Sequence, residues 1–227
     1  MSKARILIEP VSVPLSISLM KSYSGILDSA PTYPACFSDV VASTPLELTA
    51  MYESASSTGL FVSSKYKKLM VQPTGVNMKA TLSKISLPQN TQQAVLESVS
   101  LLPYCPIIIT ALGENGCLPS KLNRGKDAST KGGTAYLVQS HSYAPATVFI
   151  KHYPAPFLIS EEGIVSVNGA GDTFNGALIA EGNFASQSQD NEASLFDDAH
   201  IRLAQEAVAC SVMYAETVSP EIRSLRK

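Results

Sequence analysis

The chain has 227 residues, 45% of them hydrophobic, and a formal net charge of −2. That is enough apolar material for a sizeable core, and it lacks the basic excess that would make nucleic acid a main partner. No apolar run approaches the ~20 residues of a membrane-spanning helix, and the run after the basic start is broken by Glu9 and Pro10, so neither a membrane partner nor a secretory leader is expected.

In chain order, Arg5-Ile6-Leu7-Ile8 predicts a buried strand ended by Glu9-Pro10. Phe37 to Val41 begins a second apolar stretch. Pro45 to Ala55 predicts a helix, with Leu46, Ala50 and Met51 at helical spacing, Thr44 as its N-cap and Pro45 at the first helical position. Glu47 then sits in the first turn, where a carboxylate favours the helix dipole. Gly59 to Leu87 has little pattern, and its Lys65, Lys67 and Lys68 read as a solvated face. Thr91 to Leu102 predicts an amphipathic helix carrying Val95, Val99 and Leu102, with Pro103 as its stop.

Ile107-Ile108-Ile109-Thr110 is the clearest strand, β-branched and bounded by Pro106 and Gly113. It leads through Ala111-Leu112-Gly113-Glu114-Asn115-Gly116 into a second strand. Asn123 to Gly133 reads as a surface loop, and Ala135 to Gln139 and Thr147 to Lys151 as further strands. Gly182 to Asn191 is polar, and Ala199 to Met213 predicts an alanine-rich helix. The four cysteines (Cys36, Cys105, Cys117, Cys210) form no Cys-x-x-Cys pair and read as reduced thiols of a cytoplasmic protein. No His and Cys spacing matches a zinc site, and no histidine has a nucleophile context suited to a hydrolase triad.

The stretch with chemistry in it is Gly163 to Leu178. Gly163-Ile164-Val165-Ser166-Val167 reads as a short apolar strand, Asn168-Gly169-Ala170-Gly171 as a turn, and Asp172 onward as a helix with Phe174 and Leu178 on its core face and Gly176 allowing close packing. Small residues at 169 to 171 bring backbone N–H groups to a helix N-terminus, where an anion is the natural guest. A carboxylate would repel an anion that merely rests there. It suits a site where a hydroxyl attacks a phosphoryl group held by those donors, because the carboxylate can take the hydroxyl's proton.

Asn168-Gly169-Ala170-Gly171-Asp172-Thr173-Phe174 resembles the C-terminal signature of the PfkB (ribokinase-like) carbohydrate and nucleoside kinases. Val165 to Asn168, Glu9 to Pro14, Leu102-Pro103-Tyr104, His152 to Ala155 and the end from Ala215 to Ile222 are similar to eukaryotic pseudouridine kinases within it. The resemblance touches nearly all of the chain in order. It implies an α/β fold with a doubly wound, mainly parallel sheet flanked by helices. Measured against the family, the N-terminal strands, the sugar-recognition motif and the lid are absent from this sequence, which corresponds to the C-terminal two-thirds of a single kinase domain. The resemblance also implies ATP and Mg2+ as cofactors, Asp172 as catalytic base, and Gly169, Ala170 and Gly171 as an anion hole. Thr110, Gly113, Gly116 and Asn168 would bind nucleotide, and Glu47, from an Asn-x-x-Glu motif whose Asn is here Thr44, would organise the metal through water. Ser166 stands where many members carry an Asp associated with a monovalent-cation site.

The implied activity is transfer of a phosphoryl group from ATP to a hydroxyl of a nucleoside or sugar, pseudouridine first. A second expectation is a non-catalytic nucleotide-binding remnant or subunit, with a second copy or another chain supplying the N-terminal part. A dinucleotide-dependent oxidoreductase fails on residue type, because Phe174 stands at the third glycine of Gly-x-Gly-x-x-Gly and Asp172 would repel a pyrophosphate.

Overall fold

The computed structural model describes residues 6–29, 38–62, 89–124, 134–138, 146–181, 198–215 and 219–225. The chain divides into two units, one made of Ile6–Leu112 and Cys117–His152, the other of Met1–Arg5, Gly113–Gly116 and Tyr153–Lys227. The expectations for Lys65, Lys67, Lys68 and Cys36, and most of the two surface loops after Asn123 and Gly182, lie outside the described residues.

The first unit is built on one sheet. Its strands are β1 (Leu7–Ile8), β2 (Val40–Ser43), β3 (Ile107–Ala111), β4 (Cys117–Arg124), β5 (Thr134–Val138) and β6 (Ala146–Ile150), in the spatial order β1-β2-β3-β4-β6-β5. β1, β2 and β3 are parallel, with Val41 opposite Ile108 and Ser43 opposite Thr110. β4 runs against β3, β6 against β4 and β5 against β6, so four strands point one way and two the other. This is the expected α/β class with a mainly one-directional sheet.

Among the described residues, the α-helices of this unit are α1 (Val13–Ser29), α2 (Pro45–Ser57) and α3 (Gln89–Leu101). α1 packs on α2, α2 on α3 and on β2 and β3, and α3 on β4. Met20, Leu48, Met51, Val95, Leu102, Ile108 and Leu118 meet in one buried cluster. Each such side chain contributes about 1.5–3 kcal/mol by leaving water. The buried Glu97 is satisfied inside the layer, its carboxylate accepting from Thr49 Oγ1 at 2.9 Å and Gln93 Nε2 at 2.8 Å, which ties α2 to α3.

Helix α1 is absent from the sequence-based expectations. Its core face is Ser16, Met20 and Tyr23, at i, i+4 and i+7, all buried. The turn entering it is unusual: Val11 has φ of +60°, and Ser12 N–H donates to Pro10 C=O at 2.7 Å across it. That is the rarer, φ-positive γ-turn, a strained geometry for a β-branched residue.

In the second unit, among the described residues, the helices α4 (Ala170–Glu181) and α5 (Asp198–Val212) pack on each other. Phe174 and Leu178 of α4 are buried, as expected for its core face. Two expectations are corrected here. Gly163 to Val167 is no strand: Glu161–Gly163 is a 3-10 turn, and the N–H groups of Val165 and Ser166 both donate to Val212 C=O, at 2.8 and 3.2 Å. The apolar run is thus fixed by the unpaired carbonyl at the end of α5 rather than by a neighbouring strand. Gly176 is exposed, and nothing described lies within 4 Å of where its Cβ would stand, so it mediates no close packing.

Candidate functional site

The helices α2 and α4 each carry an acid at the third helical position, and they differ at the N-cap. α2 has Thr44 as N-cap, Pro45 next and Glu47 at the third helical position. Glu47 N–H donates to Thr44 Oγ1 at 3.4 Å, and Thr44 N–H donates to Glu47 Oε2 at 2.8 Å, a reciprocal capping box. The carboxylate is buried to 8% exposure and its Oε2 is committed to the helix. The Oε1 atom is not part of the box.

At α4 the N-cap is Gly169, whose carbonyl accepts the first helical bond from Thr173 N–H at 2.8 Å, and Asp172 stands at the third helical position. Gly169 has φ of +75°, a conformation glycine takes without cost. With no side chain on the N-cap, no box can close. The Asp172 carboxylate is exposed and takes no hydrogen bond among the described residues.

Around Asp172 the backbone donors divide. Asn168 N–H is held by Ser166 Oγ at 3.2 Å, and Ala170 N–H reaches Val167 C=O at 3.3 Å. The N–H groups of Gly169, Gly171 and Asp172 carry no hydrogen bond among the described residues. A helix N-terminus with unpaired donors and its positive dipole end suits an anion's oxygen atoms.

This end of α4 is fastened from below. Thr173 Oγ1 and Ser211 Oγ share a buried hydrogen bond of 3.3 Å, and Ser219 N–H donates to the same Ser211 Oγ at 3.4 Å. With Val212 C=O holding Val165 and Ser166, α5 fixes both the entry to the Gly-Ala-Gly turn and the first turn after it. Sequence reasoning missed Ser211; in an alanine-rich helix it reads as filler.

Gly113 and Gly116 belong to the same unit as Asp172. Gly113–Asn115 is one 3-10 turn, closed by Gly116 N–H donating to Gly113 C=O at 3.0 Å, with φ of +61° at Gly113 and +87° at Gly116. Tyr153 lies against this turn. A Cβ on Gly116 would stand 1.9 Å from Tyr153 O and 2.7 Å from Ala155 N, so only glycine fits. Tyr153 Oη in turn donates to Asp198 Oδ1 at 2.6 Å, and Gln205 Nε2 donates to Tyr153 C=O at 3.0 Å.

Thr110 and Glu47 fall in the sheet unit. Thr110 is paired in register with Ser43 at the end of the parallel strands, both are buried, and neither hydroxyl finds a partner among the described residues. A buried hydroxyl left without a partner is costly. No group of three His, Cys, Asp or Glu that could hold a metal occurs among the described residues, and no described helix is long and apolar enough to cross a membrane.

No protein-family model matches the chain, and no curated protein matches it. Solved structures do. A Clostridium perfringens protein described as a sugar kinase is 9% identical, with a TM-score of 0.47 over 98% of this chain and 45% of its own. Ribokinase from Thermotoga maritima is 14% identical, with a TM-score of 0.42 over 98% of this chain and 48% of its own. Phosphofructokinase-2 from Escherichia coli, solved with potassium, is 15% identical, with a TM-score of 0.42 over 99% of this chain and 56% of its own. This chain spans about half the length of these proteins.

Proposed function

We propose that the chain carries the phosphoryl-transfer site of an ATP-dependent kinase of the PfkB type, acting on a hydroxyl of a sugar or nucleoside, with pseudouridine as the first acceptor to try. One observation carries this reading. Asp172, at the third position of α4, keeps its carboxylate free among the described residues, beside the unpaired N–H groups of Gly169, Gly171 and its own backbone. A resting anion site gains nothing from a carboxylate at its rim; a site that must deprotonate an attacking hydroxyl needs one.

In this reading the Asp172 carboxylate accepts the proton of the acceptor hydroxyl as its oxygen bonds to the γ-phosphorus of ATP, while the bond from that phosphorus to the bridging oxygen breaks and ADP leaves. The Gly169, Ala170 and Gly171 backbone faces the charge on the transferred group, with the N–H groups of Gly169 and Gly171 as the ready donors. Asn168 and the Gly113–Gly116 turn contact the nucleotide; Thr110, whose buried hydroxyl has no partner among the described residues, is assigned to the nucleotide by the resemblance in residue pattern alone. Mg2+ bound with ATP would neutralise charge on the phosphates, and by the resemblance in residue pattern Glu47, whose Oε1 lies outside the capping box, would hold it through water. The likeness in residue pattern to pseudouridine kinases at Val165 to Asn168 and at Glu9 to Pro14 supports the choice of acceptor.

ADP release by the chain with Mg2+, ATP and pseudouridine, compared with Asp172→Asn, tests the proposal. Acceptor-dependent release that the variant loses supports it, and background rates from both proteins contradict it.

A further inference from the structure

The Gly113–Gly116 turn is joined to α5 through one residue. Tyr153 is buried, its carbonyl fills the space that a side chain on Gly116 would need, and that same carbonyl accepts the hydrogen bond from Gln205 Nε2 at 3.0 Å. Its phenol reaches the first turn of α5 through Asp198 at 2.6 Å. Gln205 sits among Ile201 and Ala204 on the buried side of the helix, an expensive place for a carboxamide unless it holds something. What it holds is the peptide on which the turn rests.

We propose that Gln205 is a positioning residue for nucleotide binding: through the Tyr153 carbonyl it sets the place and rigidity of the Gly113–Gly116 turn. This rests on the reading above that the turn contacts ATP. The two glycines that bound the turn hold left-handed geometry at φ of +61° and +87° and have no side chains with which to anchor its ends. Backbone contact with Tyr153 supports it at Gly116, and that contact is as firm as the bonds holding Tyr153. The same helix also fixes Asp172's turn through Ser211 and Val212, so α5 is the common frame of both halves of the proposed site within this unit.

The test uses the full 227-residue chain as wild type, Gln205→Leu, Tyr153→Phe and Tyr104→Phe. The last removes a buried hydrogen bond to Leu60 C=O, 2.8 Å, in the sheet unit and controls for general destabilisation. Hydrogen exchange of the peptide covering Gly116 reports the turn without nucleotide. Titration with MgATP reports binding. Gln205→Leu is expected to speed exchange at the Gly116 amide and weaken MgATP by about tenfold, the loss of one buried hydrogen bond's worth of ordering. Tyr153→Phe, which keeps the carbonyl, shifts both in the same direction by less, and it stands in if Gln205→Leu does not fold. Unchanged exchange at Gly116, or equal acceleration in Tyr104→Phe, overturns the clamp. Faster exchange with unchanged MgATP affinity also overturns the positioning role and leaves the kinase reading standing. A wild-type chain that binds no MgATP overturns the role together with the nucleotide reading, and the exchange arm still decides the clamp.

Discussion

The carbonyl oxygen of Tyr153 lies 1.9 Å from where a Cβ on Gly116 would stand. Gly116→Ala therefore cannot be absorbed by a rotamer change; the backbone of Tyr153, Pro154 or the turn itself has to move. The φ of +87° adds strain for any residue with a side chain. The expected cost is at least about 2 kcal/mol, read as a lower urea midpoint, with faster exchange over residues 113 to 116. An unshifted midpoint would mean that the turn and Tyr153 are not in contact.

The capping box at α2 separates two roles for Glu47. Thr44→Ala removes one half of the box and is expected to cost about 0.5–2 kcal/mol. Glu47→Gln retains a side-chain acceptor for Thr44 N–H, so thermal stability without ligand stays close to wild type. If Glu47 also organises metal, this variant needs a higher Mg2+ concentration for half-maximal ADP release. An unchanged Mg2+ dependence would leave Glu47 as a helix cap alone.

Thr110 offers a test with two opposite signs. Its hydroxyl is buried and without a partner among the described residues. Thr110→Val keeps the shape and removes the desolvation penalty, so the ligand-free chain is expected to gain up to about 1 kcal/mol. The same variant should gain less melting temperature from added MgATP than wild type gains. A destabilised ligand-free variant would show that the hydroxyl already has a partner.

Burial pushes the Cys117 thiol up from its ordinary 9.0 to about 12. In the folded chain it therefore keeps its proton where the unfolded chain has lost it. The stability this confers is complete below pH 9 and is lost as pH rises towards 12, at about 1.4 kcal/mol per pH unit. Urea midpoints measured at about pH 8 and about pH 10 should fall more for wild type than for Cys117→Ala. Equal falls would mean that Cys117 titrates normally.

Much of this was legible in the sequence wherever the deciding contacts are local. Thr44-Pro45-Leu46-Glu47 announced a helix start, and that helix begins at Pro45 with the box closed. Ile107 to Thr110 reads as a strand because four β-branched residues in a row suit little else, and β3 spans Ile107–Ala111. The misread run from Gly163 to Val167 has the same apolar character, but its backbone donors find Val212, far along the chain. α1 escaped notice because Pro10, Val11 and Pro14 look like a loop, while the side chains it buries among those described are Ser16, Met20 and Tyr23. At the site, Asp172 could be picked out by residue type. Tyr153 and Gln205 could not, since neither carries an unusual chemistry and their importance lies in a contact made across long sequence separation.

The most direct test of the central claim is ADP release by the purified chain with Mg2+, ATP and pseudouridine, run beside Asp172→Asn. Acceptor-dependent turnover is expected in wild type, with a fall of about 10²–10⁴-fold in the variant and MgATP still bound. Turnover that survives the loss of the Asp172 carboxylate would contradict it.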